Sequence, residues 1–275
     1  MQQGSEVSIK DFTEEYNMYK ATVNMSNGQE ITSYITKDGE KFFPQVMDVA
    51  EITEQMQARQ ESQSGNSQPA ATVTNKQDTP TVELFVMSHC PYGTQIEKGM
   101  LPVVQTLGDK INFELKFCDY AMHGEKELNE QMNQYCIQKE QPEKLIPYLE
   151  CFLADSDGEA CLDETGVDQG QLDACVEQTD NEYKITEKFE DKSTWKSGRF
   201  PVFPVYAEDN QAYGITGSPG LVINGEKISS ARDANSLLNT VCSGFNEQPE
   251  ECQSADLSSA PPAAGFGFDG SGSNT

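Results

Sequence analysis

The cysteine best placed for chemistry in this sequence is Cys90, in the segment Ser-His-Cys-Pro-Tyr-Gly at residues 88–93. Residues 81–87 are rich in β-formers and predict a buried strand, whereas residues 94–107 carry apolar side chains at helical spacing. Pro91 suits the first position of that helix. Cys90 therefore faces unpaired N–H groups and the positive end of the helix dipole, which favour the nucleophilic thiolate. We interpret it as a reactive cysteine rather than a buried half-cystine.

The other cysteines indicate a disulfide framework. The chain has eight cysteines and contains no C-x-x-C pair of the zinc type. So many cysteines are typical of an oxidising compartment, and we expect an extracytoplasmic protein (periplasmic, secreted or at the cell surface) whose signal peptide has been removed. With only two histidines, we predict neither a metal site nor a cofactor.

The excess of acidic residues indicates which classes of binding partner are disfavoured. The 275 residues include 45 acidic and 19 basic ones, which give a net charge of −26. This charge disfavours nucleic acid and anionic membrane surfaces as partners. No stretch is long and apolar enough to span a membrane.

The pattern at the N-terminus predicts a small β-meander domain, residues 1–56. Three strands are expected at 19–25, 31–36 and 41–43, joined by turns at Asn27-Gly28 and Asp38-Gly39. Residues 1–17 are polar and suggest at most one short helix, and a helix is expected within 49–60. Residues 57–80 are rich in Gln, Ser, Asn and Thr and predict a flexible linker.

The main domain is predicted at residues 81–255, with an α/β fold. Residues 111–118 alternate between apolar and polar, so strand, helix and strand form a right-handed unit with parallel strands. Both strands should end on one side, which places Cys118 on the side of Cys90. An insertion at about 121–197 is expected to hold three or four helices. A hairpin at 221–228 and a closing helix follow, and the tail 256–275 is predicted to be disordered.

This order of elements resembles the thioredoxin fold of the disulfide oxidoreductase A type. Ser218-Pro219 stands where that superfamily places a cis-proline, directly before the third strand. The resemblance implies that Pro91, Tyr92, Gly93, Ser218 and Pro219 contact the substrate beside the nucleophile.

A narrower resemblance lies between the second strand and the insertion. His123, Gly124, Glu127 and Cys136 match, in register, the signature of the gamma-interferon-inducible lysosomal thiol reductase family, C-Q-H-G-x2-E-C-x2-N-x4-C. The chain departs from this signature at four positions, which are Ala121, Met122, Leu128 and Gln131. The later cysteines follow that family's order, and the similarity is greater to its prokaryotic thioredoxin-fold relatives. Residues 34–39 more faintly resemble the dimerisation domain of bacterial disulfide isomerases of the C and G types.

One departure bears on the mechanism, because Gly93 replaces the second cysteine of the C-x-x-C motif. A C-x-x-C reductase frees itself from a mixed disulfide by internal attack, which Cys90 cannot receive from position 93. The candidates for resolution are the substrate's own second thiol, a small thiol, or Cys118.

Three hypotheses about function follow. The first is a thiol–disulfide oxidoreductase or isomerase that acts on extracytoplasmic proteins with disulfides or thiols, with a small thiol or a protein as electron donor. The second is a non-catalytic thioredoxin-fold binding protein or chaperone. The third, monothiol glutaredoxin-like cluster binding, is disfavoured by the number of cysteines. The N-terminal meander, with Phe42 and Phe43 beside an edge strand, further suggests a homodimer, although core packing would also explain that pair.

The pairing of the cysteines is proposed by elimination, since spacing alone does not fix it. We predict Cys242–Cys252, Cys151–Cys161 and Cys136–Cys175, which leaves Cys90 and Cys118 free. For His123 we expect a role in ordering the start of the insertion. His89 either tunes the thiolate or merely neighbours it at the surface.

Overall fold

The computed structural model describes residues 8–15, 17–24, 30–43 and 72–268. The chain divides into two compact units, Met1–Ser67 and Gln68–Thr275. No helix in these described ranges is both long and apolar enough to cross a lipid bilayer.

The first unit contains an antiparallel sheet with the order β1-β2-β3-β4. Its strands are β1 Ser8–Glu15, β2 Met18–Asn24, β3 Glu30–Thr36 and β4 Phe42–Phe43. The turn at Asp38-Gly39 is present, with Gly39 at a φ of 75°. The Asn27-Gly28 turn and the helix predicted within 49–60 lie outside the described residues.

β1 corrects the prediction for residues 8–15, where at most a short helix was expected. Ile9 and Phe12 are three residues apart, a spacing that favours a helix over a strand. A bulge between Ile9 and Asp11 shifts the register, so that Ile9 pairs with Val23 and Phe12 pairs with Ala21. Because a bulge inserts one residue into a strand, it makes this spacing compatible with β structure.

The second unit is built on a mixed sheet with the order β6-β5-β7-β8. Its strands are β5 Thr81–Val86, β6 Asn112–Phe117, β7 Gly220–Ile223 and β8 Glu226–Ile228. β5 pairs parallel with β6 and antiparallel with β7. Val82 to Val86 are all buried, because helices and loops cover both faces of the central strand.

Helices connect and cover this sheet. α1 Pro91–Leu107 links β5 to β6 and packs against α8 Ala234–Cys242. The connection from β6 to β7 carries α2 Glu125–Glu140, α3 Pro142–Asp155, α4 Gly158–Glu164, α5 Gln169–Tyr183, α6 Ile185–Glu190 and α7 Ala207–Ala212. Five of these helices lie within 121–197, where three or four were predicted. A short α9, Glu251–Ser254, follows α8.

The three disulfides are those proposed from the sequence. Cys136–Cys175 joins α2 to α5, Cys151–Cys161 joins α3 to α4, and Cys242–Cys252 joins α8 to α9. Cys90 and Cys118 are free.

The strand order, the parallel β5–α1–β6 unit and the antiparallel β7–β8 hairpin with its closing helix define a thioredoxin-like fold. The helical insertion falls between the two halves, as predicted. The predicted fold class is therefore confirmed.

Residues 72–80 of the predicted linker and residues 256–268 of the tail predicted to be disordered pack on this unit instead. Val73 is buried, and the backbone N–H of Asn75 donates to Glu226. At the other end, Phe266 is buried and Gly267 N–H donates to the carbonyl of Leu153 at 2.9 Å. In both cases one apolar side chain and a few backbone hydrogen bonds fix a polar segment.

Candidate active site

Cys90 occupies the N-cap position of α1, where β5 passes into the helix. Its N–H donates to the carbonyl of Met87 at 2.9 Å, and its own carbonyl accepts the N–H of Thr94 at 2.9 Å. The thiol is half-buried, and Sγ lies 3.9 Å from the carbonyl oxygen of Ser218. The first turn of the helix thus holds a partly accessible sulfur against the loop that precedes β7.

That loop contains the peptide bond predicted to be cis, and the Ser218-Pro219 bond is indeed cis. Ser218 contacts the cysteine loop through its side chain, because its Oγ accepts the N–H of Met87 at 3.0 Å. The structure therefore brings Cys90, Gly93, Ser218 and Pro219 together.

Cys118 follows β6, and its N–H donates to the carbonyl of Val86 at 2.9 Å. It is fully buried in an apolar cluster formed with Phe85, Met87, Ile215 and Val222, against which Cys90 also packs. Burial, followed by the negative charges of Asp119 and Cys90, raises the pKa of the Cys118 thiol to about 12. The second free cysteine is therefore near the first but protonated and shielded from solvent.

Glu127 joins the cysteine loop to the loop after β6. Its carboxylate is fully buried and accepts the N–H of His89 at 3.0 Å, of Met122 at 2.6 Å and of His123 at 3.0 Å. The Nδ1 of His123 also lies 2.9 Å from Oε1. Burial opposes ionisation of Glu127, but the hydrogen bonds from His123 and His89 outweigh it and lower the pKa of this carboxyl.

This arrangement accounts for the spacing of the His-Gly-x-x-Glu segment. Gly124, at the N-cap of α2, has a φ of 73°, a conformation that glycine adopts readily. The turn that it makes lets His123 face the side chain of Glu127 four residues later. His123 contacts Glu127 at the start of the insertion, and Cys136 lies in the Cys136–Cys175 bridge.

His89 is enclosed by aromatic rings. Its ring centroid lies 5.6 Å from that of Phe152 and 5.7 Å from that of Phe266, both in edge contacts. Burial lowers the pKa of His89 to about 4, although the charge of Glu127 opposes the shift. The imidazole beside Cys90 is therefore neutral at physiological pH.

Two exposed apolar side chains lie on or next to the two loops that Glu127 joins. Tyr92, directly after Pro91, is 56% exposed, and Met122 is 51% exposed. The guanidinium of Arg232 lies 4.8 Å from the centroid of the Tyr92 ring. Met122, Arg232 and Phe266 were not predicted from the sequence as parts of the site. The Gly-Phe-Gly-Phe segment at 265–268 was the available signal for Phe266.

The site is built from thiols and backbone groups. Across the residues with described positions, no cluster of three or more His, Cys, Asp or Glu is arranged to hold a metal ion. What the arrangement offers chemically is one partly accessible thiol, a protonated thiol beneath it and a carbonyl edge beside it.

No protein-family model and no curated protein sequence matches this chain. Among solved structures, reduced DsbA from Mycobacterium tuberculosis is similar at 16% identity and a TM-score of 0.45, covering 67% of this chain and 96% of that one. Reduced DsbG from the same organism is similar at 16% identity and a TM-score of 0.43, covering 69% and 95%. Oxidised BdbD from Bacillus subtilis is similar at 16% identity and a TM-score of 0.42, covering 62% and 91%.

At these values the fold assignment rests on the strand order and not on the matches. The strand order agrees with the thioredoxin-like fold that the sequence predicted. The narrower resemblance to the lysosomal thiol reductase family remains a prediction.

Proposed function

We propose that this protein catalyses thiol–disulfide exchange on protein substrates through Cys90 acting as a single nucleophilic thiol. The observation that carries the proposal is the position of Cys90. Its thiol is free and half-buried at the N-cap of α1, next to the Ser218 carbonyl, while six other cysteines are held in disulfides.

The proposed reaction begins when the Cys90 thiolate attacks one sulfur of a substrate disulfide. The substrate S–S bond breaks, a bond forms between Cys90 and that sulfur, and the second substrate sulfur leaves as a thiolate. In isomerisation, another substrate thiolate then attacks the substrate sulfur of the mixed disulfide and releases Cys90. This cycle causes no net oxidation. A reductase cycle would instead need an external thiol to release Cys90.

Resolution by Cys118 is the weaker alternative. A thiol whose pKa is raised to about 12 carries almost no thiolate at neutral pH, and this one is also fully buried. Only a rearrangement of the cluster beneath Cys90 would expose it. We therefore favour the substrate's second thiol or a small thiol as the resolving group.

The surroundings of Cys90 supply a surface for an extended peptide. Ser218 and Pro219 offer backbone beside the sulfur, and Tyr92 and Met122 offer exposed apolar area. These features also support the second hypothesis, a binding protein that uses the same cleft without chemistry.

The contacts of His123 with Glu127 across the turn at Gly124, beside the cysteine loop, support the proposed resemblance to the lysosomal thiol reductase family.

Activity of two cysteine variants tests the proposal. Two activities are measured: the reduction of insulin in the presence of a small thiol, and the reactivation of scrambled ribonuclease. We expect both activities of Cys90→Ser to fall to the rate of the uncatalysed reaction. Cys118→Ala should keep both activities, because its thiol is buried and protonated. Full activity of Cys90→Ser would refute exchange at Cys90, and absence of both activities in the wild type would favour the binding hypothesis. Loss of turnover in Cys118→Ala, with accumulation of Cys90 adducts, would instead assign the resolving role to Cys118.

We further propose an extracytoplasmic location, since three structural disulfides are typical of oxidising compartments. The N-terminal unit is proposed as a separate domain that forms a homodimer. The sheet ends in the two-residue strand β4, and Phe43 is 40% exposed. Sedimentation of the full chain at micromolar concentration tests this, and a monomer would exclude it.

A further inference from the structure

Gly93 stands where a C-x-x-C motif has its second cysteine, and its backbone does not explain the glycine. It lies in the first turn of α1, and its φ is outside the positive range that glycine favours. Any residue could adopt this helical conformation, so the reason for glycine must be sought in the space around it.

A side chain at position 93 would collide with the loop before β7. A Cβ added to Gly93 would lie 2.6 Å from Ser218 Oγ, 3.0 Å from the carbonyl oxygen of Met87 and 3.4 Å from Cys90 Cβ. The hydroxyl of Ser218 thus fills the space that the first atom of a cysteine side chain would need.

The Ser218 hydroxyl is not free to turn away. It accepts the N–H of Met87 at 3.0 Å, and Met87, directly after β5, is fully buried. Moving the hydroxyl would leave this buried N–H without its partner, which is costly in a protein interior. The hydrogen bond therefore holds Oγ over Gly93.

We infer that Ser218, together with Gly93, determines that Cys90 acts without a second thiol, because its hydroxyl occupies the space that a cysteine at position 93 would need. The inference rests on the proposed function only in taking Cys90 as the reactive thiol. It predicts that the monothiol state is built into two positions, so a dithiol motif is not restored by changing Gly93 alone.

The steric part of the inference is tested without any activity assay. Gly93→Ala is made in the wild-type and in the Ser218→Ala background, and the unfolding midpoint of the full chain is measured. We expect Gly93→Ala to lower the midpoint in the wild type, and this loss to be at least halved in the Ser218→Ala background. If Gly93→Ala does not fold in the wild-type background, we expect the double variant Gly93→Ala/Ser218→Ala to fold. A double variant that also fails to fold would count against the inference.

Gly99 provides the matched control in the same helix. A Cβ there would lie 2.1 Å from the carbonyl oxygen of Arg232, a contact that does not involve Ser218. Gly99→Ala should therefore cost the same in both backgrounds. An equal cost of Gly93→Ala in both backgrounds, or no cost in the wild type, would overturn the inference.

The chemical part uses Gly93→Cys with oxidised glutathione as the oxidant. The Cys90 thiolate attacks glutathione disulfide and releases one glutathione, and the thiolate introduced at position 93 then displaces the second. Two protein thiols are oxidised while one glutathione disulfide is reduced to two thiols. We expect most molecules of Gly93→Cys/Ser218→Ala to form a disulfide between Cys90 and the introduced cysteine, whereas most molecules of Gly93→Cys stop at the glutathione adduct.

Mass mapping after alkylation distinguishes the two products. The inference would be overturned if the single variant Gly93→Cys formed the disulfide between Cys90 and the introduced cysteine. It would also be overturned if neither variant formed it. Because both readouts are independent of substrate turnover, a failure of the proposed exchange activity would leave the result interpretable.

Discussion

Glu127 shows at the scale of single residues how one side chain can hold two loops together. Three backbone N–H groups and one imidazole converge on this buried carboxylate. Hydrogen bonds to a buried charge are strong, and an unpaired charge there would be costly. The cysteine loop and the start of the insertion are therefore held by one side chain.

His89 gives this site a pH-dependent stability. Its pKa falls from the usual 6.5 to about 4 in the folded state, with burial as the first cause. The folded protein favours the neutral imidazole, so this contribution is complete above pH 6.5 and is lost as the pH falls toward 4.

We therefore predict that His89→Phe, which keeps an aromatic ring between Phe152 and Phe266, loses less stability on acidification than the wild type. The difference should reach about 1–2 kcal/mol near pH 4, after allowance for solvent screening of a partly exposed ring. Urea unfolding at a series of pH values checks this. Parallel curves for the two proteins between pH 6.5 and 4 would contradict it.

The main residues of the site could be predicted from the sequence because their signals are local. A strand followed by Cys-Pro and a helical pattern locates Cys90, and Ser-Pro before an apolar strand locates the cis bond. The contact of Ser218 with Met87 could not be predicted, since it joins positions 131 residues apart.

The C-terminal segment shows at the scale of elements where composition misleads. It is rich in Pro, Gly and Ala, yet Gly265 N–H donates to the carbonyl of Pro91 at 3.0 Å. The ammonium of Lys98 donates to the carbonyls of Gly265 and Gly267 at 2.8 and 2.7 Å. The segment therefore covers the start of α1, directly after Cys90.

Phe266 should contribute most of the apolar stabilisation of this segment. It is only 5% exposed, and its ring centroid lies 5.2 Å from that of Phe152. We predict that Phe266→Ala lowers the free energy of unfolding by about 3 kcal/mol, the lower end of the range for buried Phe→Ala changes.

Phe268 offers the control, because it lies two residues further on and is 53% exposed. Phe268→Ala should change the free energy of unfolding by less than about 0.5 kcal/mol. Denaturant unfolding of the two variants measures both values. Equal effects of the two substitutions would show that Phe266 does not anchor the segment.

Element positions in the second unit could be predicted from hydrophobic periodicity, which located β5, β6, β7 and the insertion. β1 could not be predicted in this way because its bulge changes the period of two on which strand prediction depends. The packing of residues 72–80 and 256–268 was missed for a related reason. One buried apolar residue such as Val73 hardly changes the average composition of a polar segment, so the composition does not show that the segment is anchored.

At the scale of the whole molecule, the net charge affects solubility and the choice of partner, whereas the disulfides affect the stability of the fold. The net charge of −26 favours solubility and disfavours anionic partners, but it says nothing about the fold. Two of the disulfides join helices within the insertion, and the third joins α8 to α9. Each of them restricts the unfolded chain of the second unit. Elimination among eight cysteines then leaves one accessible thiol and one buried thiol.

The most direct measurement for the central claim maps where the protein reacts with a small disulfide. The full chain is incubated with oxidised glutathione at neutral pH, its remaining thiols are alkylated, and its peptides are analysed by mass spectrometry. We predict one glutathione on Cys90, released by added thiol, with Cys118 unmodified and the three disulfides intact. An unmodified Cys90, or a Cys90–Cys118 disulfide in place of the adduct, would contradict a monothiol mechanism at Cys90.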